Sequence, residues 1–170
     1  MIRRILHLGE DALRKIAEPV TGIDDELKSL VEDMFETMYQ AKGVGLAASQ
    51  VGVNRRLFVV DVKEQPLVFI NPEIKKMSGK EAVEEGCLSL PGLREKVQRA
   101  LKVVAVATNL DGELFEITAE GFTARAIQHE YDHLDGILFI DRISKARKLQ
   151  IRKDLERIEA GESLDEVSEE

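Results

Sequence analysis

The stretch His129-Glu130-Tyr131-Asp132-His133 constrains this chain more than any other. Two histidines four residues apart share a face on an α-helix, so both imidazoles can reach one metal ion. Glu130 projects about 100° around the same helix, beside such an ion rather than on it, where a general base is useful. The chain has three histidines, and two of them fall here. Incidental histidines on a surface helix are the competing reading, and they leave that concentration unexplained. A catalytic metal also needs a third protein ligand, so the fold must bring one to this helix from elsewhere.

The rest of the composition limits the setting. At 170 residues the chain is long enough for one domain with a real core. The net charge of −8 and a pI near 5.1 argue against a DNA or RNA binder that relies on a broad basic surface. No run approaches the roughly 18 apolar residues of a membrane span. The apolar run after Arg3-Arg4 soon meets Gly9, Glu10 and Asp11, which does not fit a secretory leader. A single cysteine forms no internal disulfide. These features lead to the expectation of a cytoplasmic protein.

Residues 1–22 read as an extended entry with a short helix over 11–17, stopped by Pro19. His7 lies in this entry with nothing at ligand spacing around it and reads as a packed or surface residue. The spacing of Leu27, Leu30, Val31, Met34, Phe35 and Met38 predicts a helix over 24–42, capped by Asp24 or Asp25 and ended by Gly43. Gly43-Val44-Gly45-Leu46-Ala47-Ala48 fits G-x-G-x-x-A, but that fingerprint needs a strand before it and a helix after it. Here a helix precedes and β-rich sequence follows, so the glycines are read as sites of close backbone approach instead. Residues 57–62, 67–71, 97–109 and 114–119 are strand candidates, with Asp111-Gly112 as a hairpin turn between the last two. The metal helix spans 121–134 and stops at Gly136; Phe122, Ala126, His129 and His133 share one face. Ser144 caps a last helix running to about 158. The class expected is α+β. Antiparallel sheets pack around a central metal-binding helix, with an N-terminal and a C-terminal helix, all in one domain over residues 1–160. Residues 161–170 are acidic and expected to be disordered.

Three completions of the metal site can be weighed. The metzincin pattern continues through Gly136, but Phe139 stands where its third histidine belongs. A thermolysin-like downstream glutamate would have to come from 156 or beyond, in the basic-then-acidic terminal segment. Cys87 would complete a Cys-His-His set with one position open for water. Cys87 is favoured, a choice that rests in part on a family resemblance.

Residues 43–50, Glu85-Gly86-Cys87-Leu88-Ser89 and residues 128–134 resemble, in order and separation, the three motifs of peptide deformylases, and the resemblance extends over residues 1–158. It implies an enzyme that removes the formyl group from the N-terminal formylmethionine of new polypeptides. Cys87, His129 and His133 would hold one divalent metal, ferrous iron in the physiological enzyme, with zinc, nickel or cobalt able to replace it. Glu130 would be general base and acid, and Gln50 and the Leu88 backbone N–H would stabilise the oxyanion. Substrate would be an N-formylmethionyl nascent peptide. Gly45 would pair with its backbone, while Val44, Phe122 and Ala126 are candidates for the methionine pocket, with plain core packing as an equal alternative. The orientation of Arg125, four residues before His129, stays open. Lys145, Arg147, Lys148, Arg152 and Lys153 read first as a solvated helix face, and the resemblance offers the ribosome as their alternative partner. No DNA and no membrane partner is expected. A metalloprotease remains a competing enzyme reading. A structural metal or thiol-switch protein would need a fourth convincing ligand.

Overall fold

A computed structural model describes residues 1–167. A five-stranded antiparallel sheet runs in the order β1 (Gly45–Ala47), β2 (Leu57–Val62), β3 (Gln65–Ser78), β6 (Lys102–Thr108) and β7 (Leu114–Glu120). A separate antiparallel pair is formed by β4 (Glu81–Cys87) and β5 (Leu90–Arg99). The helices are α1 (Asp25–Gln40), α2 (Gly121–Leu134), α3 (Lys145–Gln150) and α4 (Arg152–Glu159).

The unbroken apolar run of β2 follows from cover on both faces. Alternate residues Leu57 and Val59 join Leu27, Leu30, Val31, Met34 and Met38 of α1 in one core. Phe58 and Val60 point the other way, into a core with Phe69, Ala124, Ile127 and Leu134 on the α2 side. The five-stranded sheet is therefore a middle layer between α1 and α2. A third core joins Leu90, Leu93 and Val97 of β5 to Phe139, Ile151, Leu155 and Ile158. Burying each such side chain contributes about 1.5–3 kcal/mol. Since α2 carries Ala124, Ile127 and His133 in fully covered positions, it lies inside the molecule, with β4–β5 on its remaining flank.

Local signals account for several boundaries. Asp24 caps α1 by accepting from the Leu27 N–H at 2.9 Å. Ser144 caps α3 by accepting from the Arg147 N–H at 3.0 Å. Gly136 follows α2 with φ +72, the left-handed stop expected from its sequence position. Others differ from expectation. The single strand read over 97–109 is two strands in two sheets. At the break, Gln128 of α2 accepts from the Ala100 N–H and donates to its carbonyl at 3.0 and 2.9 Å, replacing strand pairing there. Strand 67–71 continues through Asn71 and Pro72 as the longer β3, with register shifts near Glu73 and Ile74. β1 and β4 were not foreseen. The helix read over 11–17 is a 3-10 turn at Asp11–Arg14. The last helix bends at Ile151, whose N–H still donates to Arg147 O at 3.2 Å and whose carbonyl accepts from Leu155 at 3.0 Å. Within the terminal segment, Leu164–Val167 forms a 3-10 turn, and residues 168–170 lie outside the described residues.

Candidate active site

α2 delivers His129, Glu130 and His133 to the interior, all three buried. Cys87 arrives at the end of β4, where pairing with β5 slips between Gly86 and Cys87. Its sulfur lies 3.4 Å from His133 Nε2. That is close to the roughly 3.5 Å expected between sulfur and nitrogen ligands of one tetrahedral ion. One ligand atom each from Cys87, His129 and His133 lie within 4.8 Å of one another. The three residues singled out from the sequence thus converge, although Cys87 precedes His129 by 42 residues and His133 by 46. A thiolate with two imidazoles suits several first-row divalent metals, and three protein donors leave a coordination position open.

Gln50 is aimed at the same point. It sits on a 3-10 turn over Ala48–Val51, and its Oε1 accepts from the Ala47 N–H at 2.9 Å. That contact turns Nε2 toward Ser89 Oγ at 3.1 Å and Cys87 Sγ at 3.6 Å. Glu130 stands beside the cluster with Oε1 buried and unpartnered by any protein group among the described residues. Burial pushes its carboxyl up to about 7. β1 lies directly against this carboxylate. A Cβ at Gly45 would come within 2.5 Å of Glu130 Oε2, so the missing side chain makes room for the acid itself. The close approach that the sequence leads one to expect at this glycine is met here by the Glu130 carboxylate. β1 is also the outer strand of its sheet, and its second edge has no strand partner among the described residues.

The sequence reading gave Glu85 no role, yet it organises the surroundings. Its carboxylate accepts from Arg99 at 2.8 and 3.0 Å and from Arg125, and it meets His129 Nδ1 at 2.9 Å. The last contact leaves Nε2 of His129 to face the cluster. Arg99 continues the network to Asp132 at 2.6 Å, and Arg142 covers Asp132 from outside at 2.8 Å. Burial disfavours charge on Glu85, but His129 and Arg99 outweigh it and hold the carboxyl down at about 2. For His133, burial and the neighbouring His129 lower its proton affinity, as a neutral ligand requires. Burial opposes charge on His129 too, but Cys87 and Glu85 prevail and raise its proton affinity. The signal for Glu85 in the sequence is its place in Glu85-Gly86-Cys87, two residues before the candidate ligand.

Arg125 turns inward, donating to Val97 O and Glu81 O at 2.9 and 2.6 Å as well as to Glu85. A cavity of about 370 Å³ opens above the cluster. Val44, Gly45, Leu88, Phe122 and Ala126 line it, together with Glu130 and His129. Phe122 is 56% exposed and Val44 39%, so these two stand at the cavity mouth rather than in the core; Ala126 does both.

A thiol and two imidazoles gathered below an open cavity, with a buried carboxyl alongside, make a centre of the metallohydrolase class. The sequence profile described as polypeptide deformylase matches residues 2–149. The chain is 53% identical to a peptide deformylase of Acidobacterium capsulatum, over 95% of this chain and 99% of that one. It is 58% identical to one of Clostridium botulinum, over 85% of this chain and 98% of that relative. A crystal structure of a peptide deformylase from Legionella pneumophila superposes with a TM-score of 0.88 at 48% identity, over 92% of this chain and 95% of the other. This chain belongs to the polypeptide deformylase family, whose members are metallohydrolases that remove the N-formyl group from nascent peptides.

Proposed function

We propose that this deformylase binds one divalent metal through Cys87, His129 and His133 and uses Glu130 to move the proton. The observation that carries the reading is the buried Glu130 carboxyl set beside the Cys-His-His cluster at the base of a cavity. A bound divalent metal supplies Lewis acidity and a water that ionises near neutral pH. Glu130 takes a proton from the attacking water and gives it to the departing amine. The Gln50 side-chain amide and the Leu88 N–H donate to the carbonyl oxygen as negative charge develops on it. The fixed Oε1 of Gln50 favours this role, because its amide needs no rearrangement during the reaction. Formate and a free methionine amine are the products.

The nascent peptide would extend along the free edge of β1 at Gly45, adding a strand to the sheet. Its methionine side chain would rest among Val44, Phe122 and Ala126. Ferrous iron is the resident metal proposed, with zinc, nickel or cobalt able to substitute. No helix among the described residues is long and apolar enough to cross a membrane. The cytoplasm, where nascent chains emerge, is the proposed location, and residues 145–153 are the candidate ribosome contact. The test is formate release from a formyl-Met peptide, with metal content measured before and after chelation. Formate should appear with the metallated enzyme, cease on chelation and return with added ferrous iron or zinc. Undiminished release after complete metal removal would refute the proposal.

A further inference from the structure

The two residues that would face the developing oxyanion lie on short irregular stretches rather than inside long elements. Gln50 is on the 3-10 turn over Ala48–Val51, and Leu88 is in the link between β4 and β5. Such stretches are ordinarily among the more mobile parts of a fold. Here both are stitched to one segment from the start of the sequence. The Leu6 N–H donates to Gln50 O at 2.7 Å, and the Leu8 N–H donates to Ser89 O at 3.0 Å. Gln50 Nε2 also donates to Ser89 Oγ at 3.1 Å, and Ser89 is wholly buried. The two stretches are thus joined once through side chains and a second time through the backbone of residues 6–8.

This segment is itself held at both ends. Toward its start, the Arg3 N–H donates to Thr37 Oγ1 at 2.9 Å and Arg3 Nε donates to Asp33 at 3.0 Å, both on α1. Thr37 is buried. Toward its end, the His7 N–H donates to Glu10 Oε2 at 2.6 Å and the Glu10 N–H donates to His7 O at 3.1 Å. Gly9 makes the turn between them with φ +102. Leu8 is buried in the core that holds Leu90 and Leu93 of β5. Leu6 lies against Gly52, the residue that ends the 3-10 turn, where a Cβ would meet its Cδ1 at 3.7 Å. None of these hydrogen bonds reaches a metal ligand. They run to the two stretches that carry the oxyanion donors.

We propose that residues 3–8 form a strap that sets the spacing between the two oxyanion donors, with the Leu6 and Leu8 N–H groups as its positioning groups. The proposal rests on the deformylase reading of the site. A donor serves only while it lies about 2.7–3.1 Å from the place the oxyanion will occupy. A misplacement of about 1 Å can cost about a hundredfold in rate. The direct link between the stretches, Gln50 Nε2 to Ser89 Oγ, uses the same amide that serves the oxyanion. The strap joins their backbones instead and leaves that amide to the reaction.

The experiment uses the full metallated chain and a formyl-Met tripeptide. Exchange of the Leu6 amide for an ester removes one N–H and keeps every side chain. It should lower kcat per bound metal roughly ten- to a hundredfold, with KM close to wild type. A double-mutant cycle separates positioning from plain support of the fold. In a Gln50→Ala background the same exchange should change kcat less than about twofold, because the donor it positions is gone. An unchanged kcat with Gln50 present, or an equal loss in both backgrounds, overturns the proposal. Thr37→Val loosens the strap at α1 and alters a residue that lines neither the cavity nor the metal cluster. It should lower kcat roughly two- to tenfold, the range of one hydrogen bond, and only where Gln50 is present. If the ester form does not fold, Thr37→Val decides alone, and a kcat unchanged or lost equally without Gln50 overturns the proposal. Absence of formate from the unaltered metallated chain would instead overturn the deformylase reading beneath it.

Discussion

Glu130 owes its reactivity to what surrounds it. Its carboxyl is buried, has one oxygen without a protein partner among the described residues, and has the bare backbone of Gly45 against the other. Glu130→Gln keeps the size and loses the proton shuttle. Turnover should fall roughly a hundred- to ten-thousandfold while metal content stays at the wild-type level, read by formate release and metal analysis. Wild-type-like turnover would remove the general-base role. Glu85 acts differently, through His129 and two arginines. Glu85→Gln leaves Arg99 and Arg125 buried beside a neutral amide and weakens the acceptor at His129 Nδ1. Stability should drop by about 3–5 kcal/mol in denaturant unfolding. Metal affinity should fall roughly 10- to 100-fold in a chelator competition. Metal affinity equal to wild type would mean that Glu85 serves the fold alone.

At the scale of elements, α2 is both the central packing helix and the carrier of the chemistry. Ile127 and Leu134 tie it to the five-stranded sheet, while His129 and Asp132 face the β4–β5 pair through Glu85 and Arg99. The turn after α2 is fastened at Asp141, which accepts from the Leu138 N–H at 2.9 Å and pairs with Arg14. Burial works against charge on Asp141, but Arg14 and the Leu138 N–H outweigh it and hold its pKa below the usual value. A carboxylate whose folded pKa is depressed contributes stability above its unfolded value, about 3.9, and loses it as pH falls through the folded value. Asp141→Asn should therefore lower stability by about 1 kcal/mol at neutral pH. The gap from wild type should close as pH falls below the ordinary aspartate range and through the lower folded value. Thermal melts across pH 2.5–7 check this, and a gap independent of pH would show that the ion pair contributes nothing.

For the whole molecule, charge is unevenly spread over a surface that is acidic in sum. Within the basic run at the C-terminal helices, Arg147 already pairs with Glu95 at 2.8 Å and Lys148 with Asp141 at 3.4 Å. Lys145, Arg152 and Lys153 form no ion pair among the described residues and are the cations left for a partner. Changing these three to glutamate should leave turnover of free formyl peptides intact while weakening co-sedimentation with ribosomes and flattening its salt dependence. Unchanged co-sedimentation would leave this face as a solvated one.

The sequence by itself determined the local parts of this protein. The i, i+4 histidines, the period of α1, the caps at Asp24 and Ser144, and the stop at Gly136 each depend on residues within a few positions, where helix geometry alone dictates who meets whom. Motif order further pointed to Cys87 and Gln50, whose roles stay proposals to be tested. Only the tertiary structure decided the rest. Three-residue β1 is too short to show a period, and charged β4 lacks the apolar alternation of a strand with one covered face. The apparent strand over 97–109 divides because Gln128, on a helix far along the chain, takes over the backbone groups of Ala100. The Glu85–Arg99–Asp132 network, the fit of Glu130 against Gly45 and the seat of Leu164 and Asp165 at Gly92 are all contacts between distant segments. No local propensity encodes such contacts; they exist only once the cores on either side of α2 have packed.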